Sequence, residues 1–280
     1  MKKLLLLLLF LLTPFMVMAQ LSTAFKNHWF DGFAEINSYE LTQSRYGQQR
    51  KGKAVLIFVT EDFLAKEQVK ANQKSKTTIP VLKSNRTKNF LTGIYPYSIM
   101  SSTFSSLKKN HPLIKTVASI QEWCGQSYLQ LNAREREYTL VSHSYFEGEA
   151  DQNLKLPKIV SEDELWNMIR FNPKNLPVGE FDLLPSLEMI RLNHIEAKAV
   201  KTTASLNAGT YTLYIPSMQR SLSIQFDQNF PYTIEGWEEK YDHKGTQYTS
   251  TAKRIHTERR QYWQENNPAS ARFRAPFKLD

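Results

Sequence analysis

The chain has almost no cysteine. Cys124 is the single cysteine among 280 residues, so no intramolecular disulfide can form and the hydrophobic core must stabilise the fold by itself. Glycine and proline are also sparse, with 10 and 12 residues, whereas aromatic residues make up 12% of the chain. This composition excludes collagen-like, low-complexity and disordered chains, and it indicates a globular protein.

The sequence also lacks the motifs of nucleotide and metal chemistry. It contains no phosphate-binding glycine loop, no dinucleotide-binding turn and no Gly-x-Ser-x-Gly elbow. Its six histidines are scattered, and none forms the His-Glu-x-x-His spacing of a zinc helix. His143 with Glu147 and His194 with Glu196 are isolated pairs. We therefore expect no cofactor and no metal site.

The N-terminus has the pattern of a secretory signal peptide. Lys2 and Lys3 precede an apolar run over residues 4–12, and residues 17–19 have the pattern of a signal peptidase cleavage site. The run is shorter than the roughly 20 residues of a spanning helix. We expect cleavage after residue 19, no transmembrane span afterwards, and a periplasmic or secreted protein. No cysteine follows the cleavage region, so no lipid anchor is expected.

The charge balance bears on partners. The formal net charge of +9 favours acidic envelope components, such as lipopolysaccharide, anionic phospholipid or wall polymers. Nucleic acid is not an expected partner outside the cytoplasm. The same charge can serve solubility alone, and the sequence does not indicate an oligomeric state.

Alternation of apolar and polar residues predicts antiparallel β-structure through most of the chain. Residues 210–215 and 221–226 alternate with the period of a half-buried strand, and 216–219 between them has turn chemistry. The unbroken apolar run 54–59 predicts a central strand with both faces covered. Further strands are predicted at 34–46, 90–104, 119–131, 137–146 and 232–237.

Two short helices are predicted. Ser161 can cap the first, Glu164 completes a Ser-x-x-Glu capping box, and Pro173 ends the helix after residue 171. A second helix is predicted at 259–266, before a basic tail, and the lysine-rich stretch 66–76 predicts an exposed loop or short helix. The predicted fold class is mainly β, with antiparallel meander sheets that form an open half-barrel. Closed barrels and two-sheet sandwiches have the same strand signals.

The domain prediction follows from length. We expect residues 20–280 to form a single β-rich domain, since all-β folds commonly reach this size as one unit. The alternative is two halves divided near 157–180, where the predicted helix and an irregular connector interrupt the strands.

Only one residue pair suggests covalent catalysis. Cys124 lies in the sequence Glu-Trp-Cys-Gly, and His143 lies in a neighbouring predicted strand, so a thiolate–imidazole pair is conceivable if the strands align. The alternative interpretation is a small apolar cysteine and a hydrogen-bonded histidine. No local signature of a nucleophile supports the catalytic interpretation.

Aromatic residues near predicted turns suggest a ligand cleft. Tyr95 and Tyr97 flank Pro96 after a glycine, and this combination can line the wall of an apolar or sugar site. Trp123, Tyr145 and Trp237 are candidates for the same wall. The alternative is that these rings fill the core or cover a sheet edge.

Several segments resemble an uncharacterised family of exported proteins from Gram-negative bacteria. They are residues 29–32, 54–59, 93–97, 122–125 and 230–237. Members are sometimes labelled septum formation inhibitor Maf, but the N-terminal Ser-x-Arg-Arg phosphate site of true Maf enzymes is absent here, so the label reads as a naming error. The predicted meander is also similar to lipoprotein-carrier folds, in which a curved sheet holds acyl chains against a helical lid.

Three functions follow as hypotheses. The first is a binding or assembly module for a lipid, a lipoprotein or another envelope component. The second is a cell-wall hydrolase or transferase that uses Cys124 and His143. The third is a purely structural role in the envelope, which the sequence does not separate from the first.

Overall fold

The fold is built on one large sheet. The computed structural model describes residues 21–108, 112–243 and 245–279, and the predicted signal peptide lies outside them. The strands of this described part are β1 (Ala34–Arg45), β2 (Gln48–Leu64), β3 (Val69–Lys70), β4 (Thr78–Thr92), β5 (Tyr95–Ser106), β6 (Leu113–Glu122), β7 (Gly125–Ala133), β8 (Glu137–Ser144), β9 (Gln152–Pro157), β10 (Val160–Ser161), β11 (Gly179–Leu184), β12 (Val200–Asn207), β13 (Thr210–Ile215), β14 (Arg220–Phe226), β15 (Ile234–His243) and β16 (Thr246–Arg260). The helices are α1 (Thr23–Trp29), α2 (Glu162–Phe171) and α3 (Leu187–Leu192).

The strand order joins two meanders at the first strand. The order is β10-β11-β12-β13-β14-β15-β16-β1-β2-β4-β5-β6-β7-β8-β9, and the short β3 pairs with β2. All pairs are antiparallel except β10 with β11. β1 is the eighth of the fifteen strands in this order and therefore lies at the centre of the sheet. It pairs with β2 on one side and with β16 on the other. The sheet is open, and the mainly β, open antiparallel fold class predicted from the sequence is confirmed.

The two edges of the sheet are neighbours along the chain. β9 ends at Pro157 and β10 begins at Val160, so only two residues connect the edge strands. The sheet therefore curls almost into a barrel without hydrogen bonds across the gap between these edges. α3 and residues 193–199, which follow β11, pack against β7–β9 beside this gap.

Helix α2 fills the concave face. The capping box is present in part, since the Ser161 N–H donates to the Glu164 carboxylate at 2.9 Å. The helix ends before Pro173, as predicted. Nine of its ten residues are buried, including the polar Asn167, because the sheet surrounds the helix on several sides. The Asn167 amide donates to carbonyl groups of β4 and β5 at 3.2 and 3.4 Å.

The remaining ends of the chain cover the sheet on both faces. α1 lies against the C-terminal end of α2, where Phe25 stacks on Phe171 at 6.0 Å between ring centroids. A long 3-10 helix, Pro268–Phe277, packs on the outer face, where Phe277 is only 4% exposed. The apolar run 54–59 thus alternates between the core and the covered outer face: Leu56 is buried in the core, and Ile57 lies beneath the C-terminal segment.

Some local predictions were wrong. The stretches 90–104 and 119–131 are each two strands separated by tight turns at 93–94 and 123–124. The predicted helix at 259–266 is the end of β16 followed by a 3-10 turn, because Arg259 and Arg260 pair with β1. Of the two alternatives predicted for 66–76, the exposed loop is confirmed, with the two-residue β3 inside it, and the short helix is wrong. The segment 232–237 enters a strand only at Ile234.

Candidate functional site

The structure does not bring Cys124 and His143 together. Cys124 lies in the turn before β7, whereas His143 is opposite Tyr128 on β8. Tyr128 is three residues beyond Gly125, or about 10 Å along the strand. Cys124 is exposed, and the Glu122 carboxylate beside it raises the pKa of its thiol. His143 Nδ1 lies 2.8 Å from Asp151. This geometry does not activate the thiol as a nucleophile, because only the thiolate attacks.

Four of the five predicted aromatic ligand residues lie at one end of the sheet. We name the aromatic rim as Tyr46, Tyr95, Tyr97, Trp123 and Tyr145. The ring of Tyr95 lies 6.0 Å from Tyr97 and 6.4 Å from Trp123, measured between centroids. The Tyr46 and Tyr97 hydroxyls are 2.6 Å apart. Trp123 and Tyr145 are 69% and 64% exposed and present large rings to solvent, whereas Tyr97 is 3% exposed and belongs to the core cluster beneath them.

Local backbone features place the rings of the rim. Tyr46 and Gly47 both have positive φ, at 55° and 71°, as a two-residue hairpin turn requires. Gly125 lets the ring of Tyr145 cross the start of β7, because a Cβ there would lie 2.7 Å from that ring. Tight hairpin turns therefore place Tyr46, Tyr95 and Trp123, whereas Tyr145 lies at the start of the loop after β8.

Trp237, the fifth predicted residue, lies in the core. Its ring packs against Tyr39 at 5.0 Å and against Trp166 of α2 at 5.3 Å. It lines an inner cavity of about 40 Å³ between α2, α3 and the concave face of the sheet. A cavity of this size has room for a few water molecules and not for an acyl chain.

The cations that line the inner cavity are paired with carboxylates. Arg220 of β14 forms two bonds of 2.7 Å with Glu162 and one of 2.6 Å with Glu239. Arg86 contacts Asp163, and Lys88 lies 2.7 Å from Glu188. The ion pairs join α2 to β14 in one half of the sheet and to β4 in the other, and they join α3 to β4. Because these charges already have partners, the inner cavity has a structural explanation that requires no ligand.

A second buried pair anchors the far end of α2. Arg170 is fully buried and holds Glu35 of β1 with two bonds of 2.6 and 2.7 Å. The guanidinium group also lies 4.5 Å above the ring of Phe58. Although burial acts in the opposite direction, Arg170 and the neighbouring His28 and Asn37 keep the pKa of Glu35 far below its usual value.

Glu164 differs from the other buried carboxyl groups. Burial raises its pKa to about 7, and it accepts hydrogen bonds from the backbone of Ser161 and Leu113. No ion pair involving Glu164 occurs among the described residues. This group therefore changes its protonation state near neutral pH.

A larger opening lies at the edge of the sheet. We name the edge cleft as the space between β7–β9 and the segment 190–197, with a volume of about 470 Å³. Its apolar walls belong to the second hydrophobic cluster of the protein, in which Leu129 and Leu140 are 2% and 1% exposed. Leu154, Ile190 and Ile195 complete this apolar lining. Pockets of this size with mostly apolar walls and a few polar groups are typical ligand sites.

One buried cation of the edge cleft is incompletely paired. The Arg191 side chain is 6% exposed and its Nε donates to Ser127 at 2.6 Å. Its Nη1 is buried and has no hydrogen-bond partner among the described residues. The nearest carboxylate, that of Glu149, lies 3.8 Å from Nε and also contacts His194. Burial lowers the pKa of Arg191, although Glu149 opposes that effect.

Arg191 links the edge cleft to the aromatic rim. Its guanidinium lies 3.8 Å above the ring of Phe146, and that ring contacts Tyr145 of the rim at 5.1 Å. Phe146 also meets the imidazole of His194 edge to face.

The histidine pairs noted in the sequence have other partners. His194 contacts Glu149 rather than Glu196, and His143 contacts Asp151 rather than Glu147. Within the described residues, no group of three or more His, Cys, Asp or Glu side chains is arranged to hold a metal ion.

A third opening lies on the outer face of the sheet. This outer groove, about 430 Å³ in volume, separates the C-terminal segment from β1 and β2. Its apolar wall includes Ile57, Phe273 and Phe277. Arg260 at this groove is paired with both Glu258 and Glu265. The edge cleft, by contrast, combines the partly exposed apolar side chains of Leu154 and Ile195 with a cation whose Nη1 donors are unused.

Comparisons with known proteins leave the family open. The sequence matches no protein-family model, and no curated protein is significantly similar to it. Among solved structures, it is similar to the β-barrel-like protein of a domain of unknown function, DUF1849, from Brucella abortus. The TM-score is 0.42 with 7% sequence identity, and the alignment covers 81% of this chain and 98% of the other. No function is transferred from this similarity.

The described part of the chain contains no helix that is both long and apolar enough to cross a membrane.

Sequence reasoning missed the edge cleft and Arg191. α3 has only six residues, too few for a clear helical period, and its cation faces the sheet. Ser186 was the available signal, since its side chain accepts from the Met189 N–H and caps the helix. The partners of Arg191 come from β7 and from the loop after β8, which no local pattern connects to α3.

Proposed function

We propose that this chain is an exported protein of the cell envelope that binds an amphiphilic envelope component, such as a lipid or the acylated end of a lipoprotein. The observation that carries the proposal is the edge cleft, whose apolar walls open beside exposed aromatic rings. Tyr and Trp rings at the boundary between apolar and aqueous regions suit an amphiphile, because they are apolar with one polar atom.

Export and the periplasmic or secreted location belong to the same proposal. They are supported by the signal-peptide pattern at residues 1–19 and by the resemblance to exported Gram-negative proteins. Cleavage after residue 19 would remove Lys2 and Lys3 from the full-length charge of +9 and leave a formal charge of 9 − 2 = +7, which supports an acidic partner in that compartment.

The interior of the sheet is not the site of this activity. α2 occupies the concave face and leaves an inner cavity of about 40 Å³ lined by paired charges. An apolar chain placed there would have to separate Arg220 from Glu162 or Arg86 from Asp163. Because breaking a buried ion pair costs about 3–5 kcal/mol, the edge cleft is the favoured location.

Native mass spectrometry of the mature protein, purified gently from its own envelope, tests the proposal. We expect a bound molecule with an apolar chain at a stoichiometric level. Ile195→Trp, which places a large ring in the edge cleft, should abolish that mass. Val178→Trp is the matched control, since Val178 is exposed and lies outside the cleft.

Two results would contradict the proposal. One is a protein that is always empty and takes up nothing from membrane extracts. The other is a bound molecule that both variants retain equally, because that outcome would place the ligand elsewhere.

A further inference from the structure

The chemistry of the edge cleft specifies more than an apolar ligand. Its floor is apolar, and Leu129 and Leu140 are almost fully buried. Its volume of about 470 Å³ lies in the lower half of the range of roughly 300–1,000 Å³ that is usual for small-molecule sites. This volume suits one apolar chain rather than two.

Arg191 is the distinctive polar group of the cleft. A guanidinium has five N–H donors. The guanidinium of Arg191 makes one hydrogen bond to the described residues, from Nε to Ser127. Nη1 is buried without a partner. Burying a cation with unsatisfied donors is costly, and an anion that supplies acceptors would remove this cost.

Glu149 compensates this charge only partly. Its Oε2 lies 3.8 Å from Arg191 Nε, and it also accepts a hydrogen bond of 3.0 Å from Ser144. The other carboxylate oxygen contacts His194. Burial lowers the pKa of Arg191 and outweighs the opposing effect of Glu149 and Glu122, while the nearby cation Arg45 acts in the same direction as burial. Glu149 is thus a weak internal anion at a place where a ligand's anion could bind more closely.

From this arrangement, and resting on the proposed function of the cleft, we infer that Arg191 recognises the anionic head group of a single-chain amphiphile. The head group is a carboxylate or a phosphate, and the chain lies along Leu129, Leu140 and Ile190. Glu149 competes with the head group for the guanidinium. Planar guanidinium groups suit both kinds of anion because they can donate two parallel hydrogen bonds.

Titration calorimetry with the mature protein tests this assignment, with decanoate, decyl phosphate and uncharged decanol as probes. We expect at least one of the two anions to bind at least about tenfold more tightly than decanol, since a hydrogen bond to a charged group is worth about 1.5–3 kcal/mol. The anion that binds more tightly, decanoate or decyl phosphate, identifies the head group as a carboxylate or a phosphate. Lengthening the chain of either anion by one methylene should raise its affinity about fourfold.

Two variants that should change the affinity for the anion in opposite directions make the test specific. Arg191→Gln should lower the affinity for the anion about tenfold or more and leave decanol unchanged. Glu149→Gln should raise the affinity for the anion several-fold, because it removes the competitor and keeps an acceptor for Ser144. Glu147→Gln is the matched control: it removes the same charge two residues away, from an exposed side chain.

The outcomes separate this inference from the proposed function. If decanol binds as tightly as both anions and neither Arg191→Gln nor Glu149→Gln changes the affinities, the role of Arg191 is refuted while the cleft still binds amphiphiles. If Arg191→Gln fails to fold, Glu149→Gln against Glu147→Gln decides the question alone. If no probe binds and the envelope-purified protein is empty, both the inference and the proposed function fail.

Discussion

The titration of Glu164 predicts a pH dependence of stability. This carboxyl group is buried beside the N-terminus of α2, accepts two backbone hydrogen bonds and has a pKa of about 7 in the folded protein, against 4.5 for the ordinary group. The folded state therefore holds the proton more tightly than the unfolded state does. Stability from this group is fully present below pH 4.5, and it falls as the pH rises from there through about 7.

The magnitude follows from the shift. A difference of about 2.5 pKa units, at about 1.4 kcal/mol per unit, corresponds to about 3 kcal/mol lost between acid and alkaline conditions. Glu164→Gln keeps acceptors for the Ser161 and Leu113 N–H groups but cannot ionise. The variant should gain about 2–3 kcal/mol relative to the wild type when the pH is raised from 5 to 8.

Urea unfolding of the variant and the wild type at pH 5 and at pH 8 measures how the difference in their free energies of unfolding changes with pH. Comparing the variant with the wild type cancels the titration of other groups that the substitution does not touch. Glu67→Gln, at an exposed position, controls for the simple loss of a negative charge. A stability difference between Glu164→Gln and the wild type that is the same at pH 5 and pH 8 would refute the assignment of a raised pKa to Glu164.

Three further predictions concern other parts of the molecule. Arg170→Met leaves the Glu35 carboxylate buried without its cation, and it should lower the free energy of unfolding in urea by about 3–5 kcal/mol; a loss below 1 kcal/mol would contradict the pair's importance. Phe277→Ala should release the C-terminal segment, so limited proteolysis after residue 260 should accelerate, and equal rates would show that this ring does not hold the segment. Alkylation of Cys124 at neutral pH should be faster in Glu122→Gln, because the carboxylate that raises the pKa of the thiol is gone; an unchanged rate would count against that effect.

The strand content was predictable because it depends on local alternation. Residues 210–215 and 221–226 show the period of two, and their burial alternates accordingly in β13 and β14. The hairpin turn at 123–124 was missed because its two central residues, Trp123 and Cys124, are not glycine, proline or asparagine, so the turn chemistry gave no signal there. The turn at 93–94 does carry a signal, since Gly93 has a positive φ of 70°, but the apolar residues on both sides of it read as one continuous strand.

The position of α2 could not be predicted from its own sequence. Its capping box fixes where it begins, but Glu162, Asp163 and Arg170 read as a solvent-exposed face. They are buried because their partners Arg220, Arg86 and Glu35 lie 58, 77 and 135 residues away. Only the tertiary fold brings these charges together.

The candidate site was predictable only in part. Four of the five aromatic residues chosen from the sequence lie in the rim, since the hairpin turns that carry them meet at one end of the sheet. Trp237 was chosen for the same chemistry, but alternation on β15 directs it into the core. That any of these rings binds a ligand stays a prediction.

Methyl NMR spectroscopy of the mature protein, labelled at Leu and Ile, during titration with decanoate tests directly whether the edge cleft binds an amphiphile. We expect the signals of Leu140 and Ile190 in the edge cleft to shift and those of Leu222 in the inner cavity and Ile57 in the outer groove to stay unchanged. Shifts confined to Leu222 or Ile57, or no shifts while decanoate stays monomeric, would contradict this expectation.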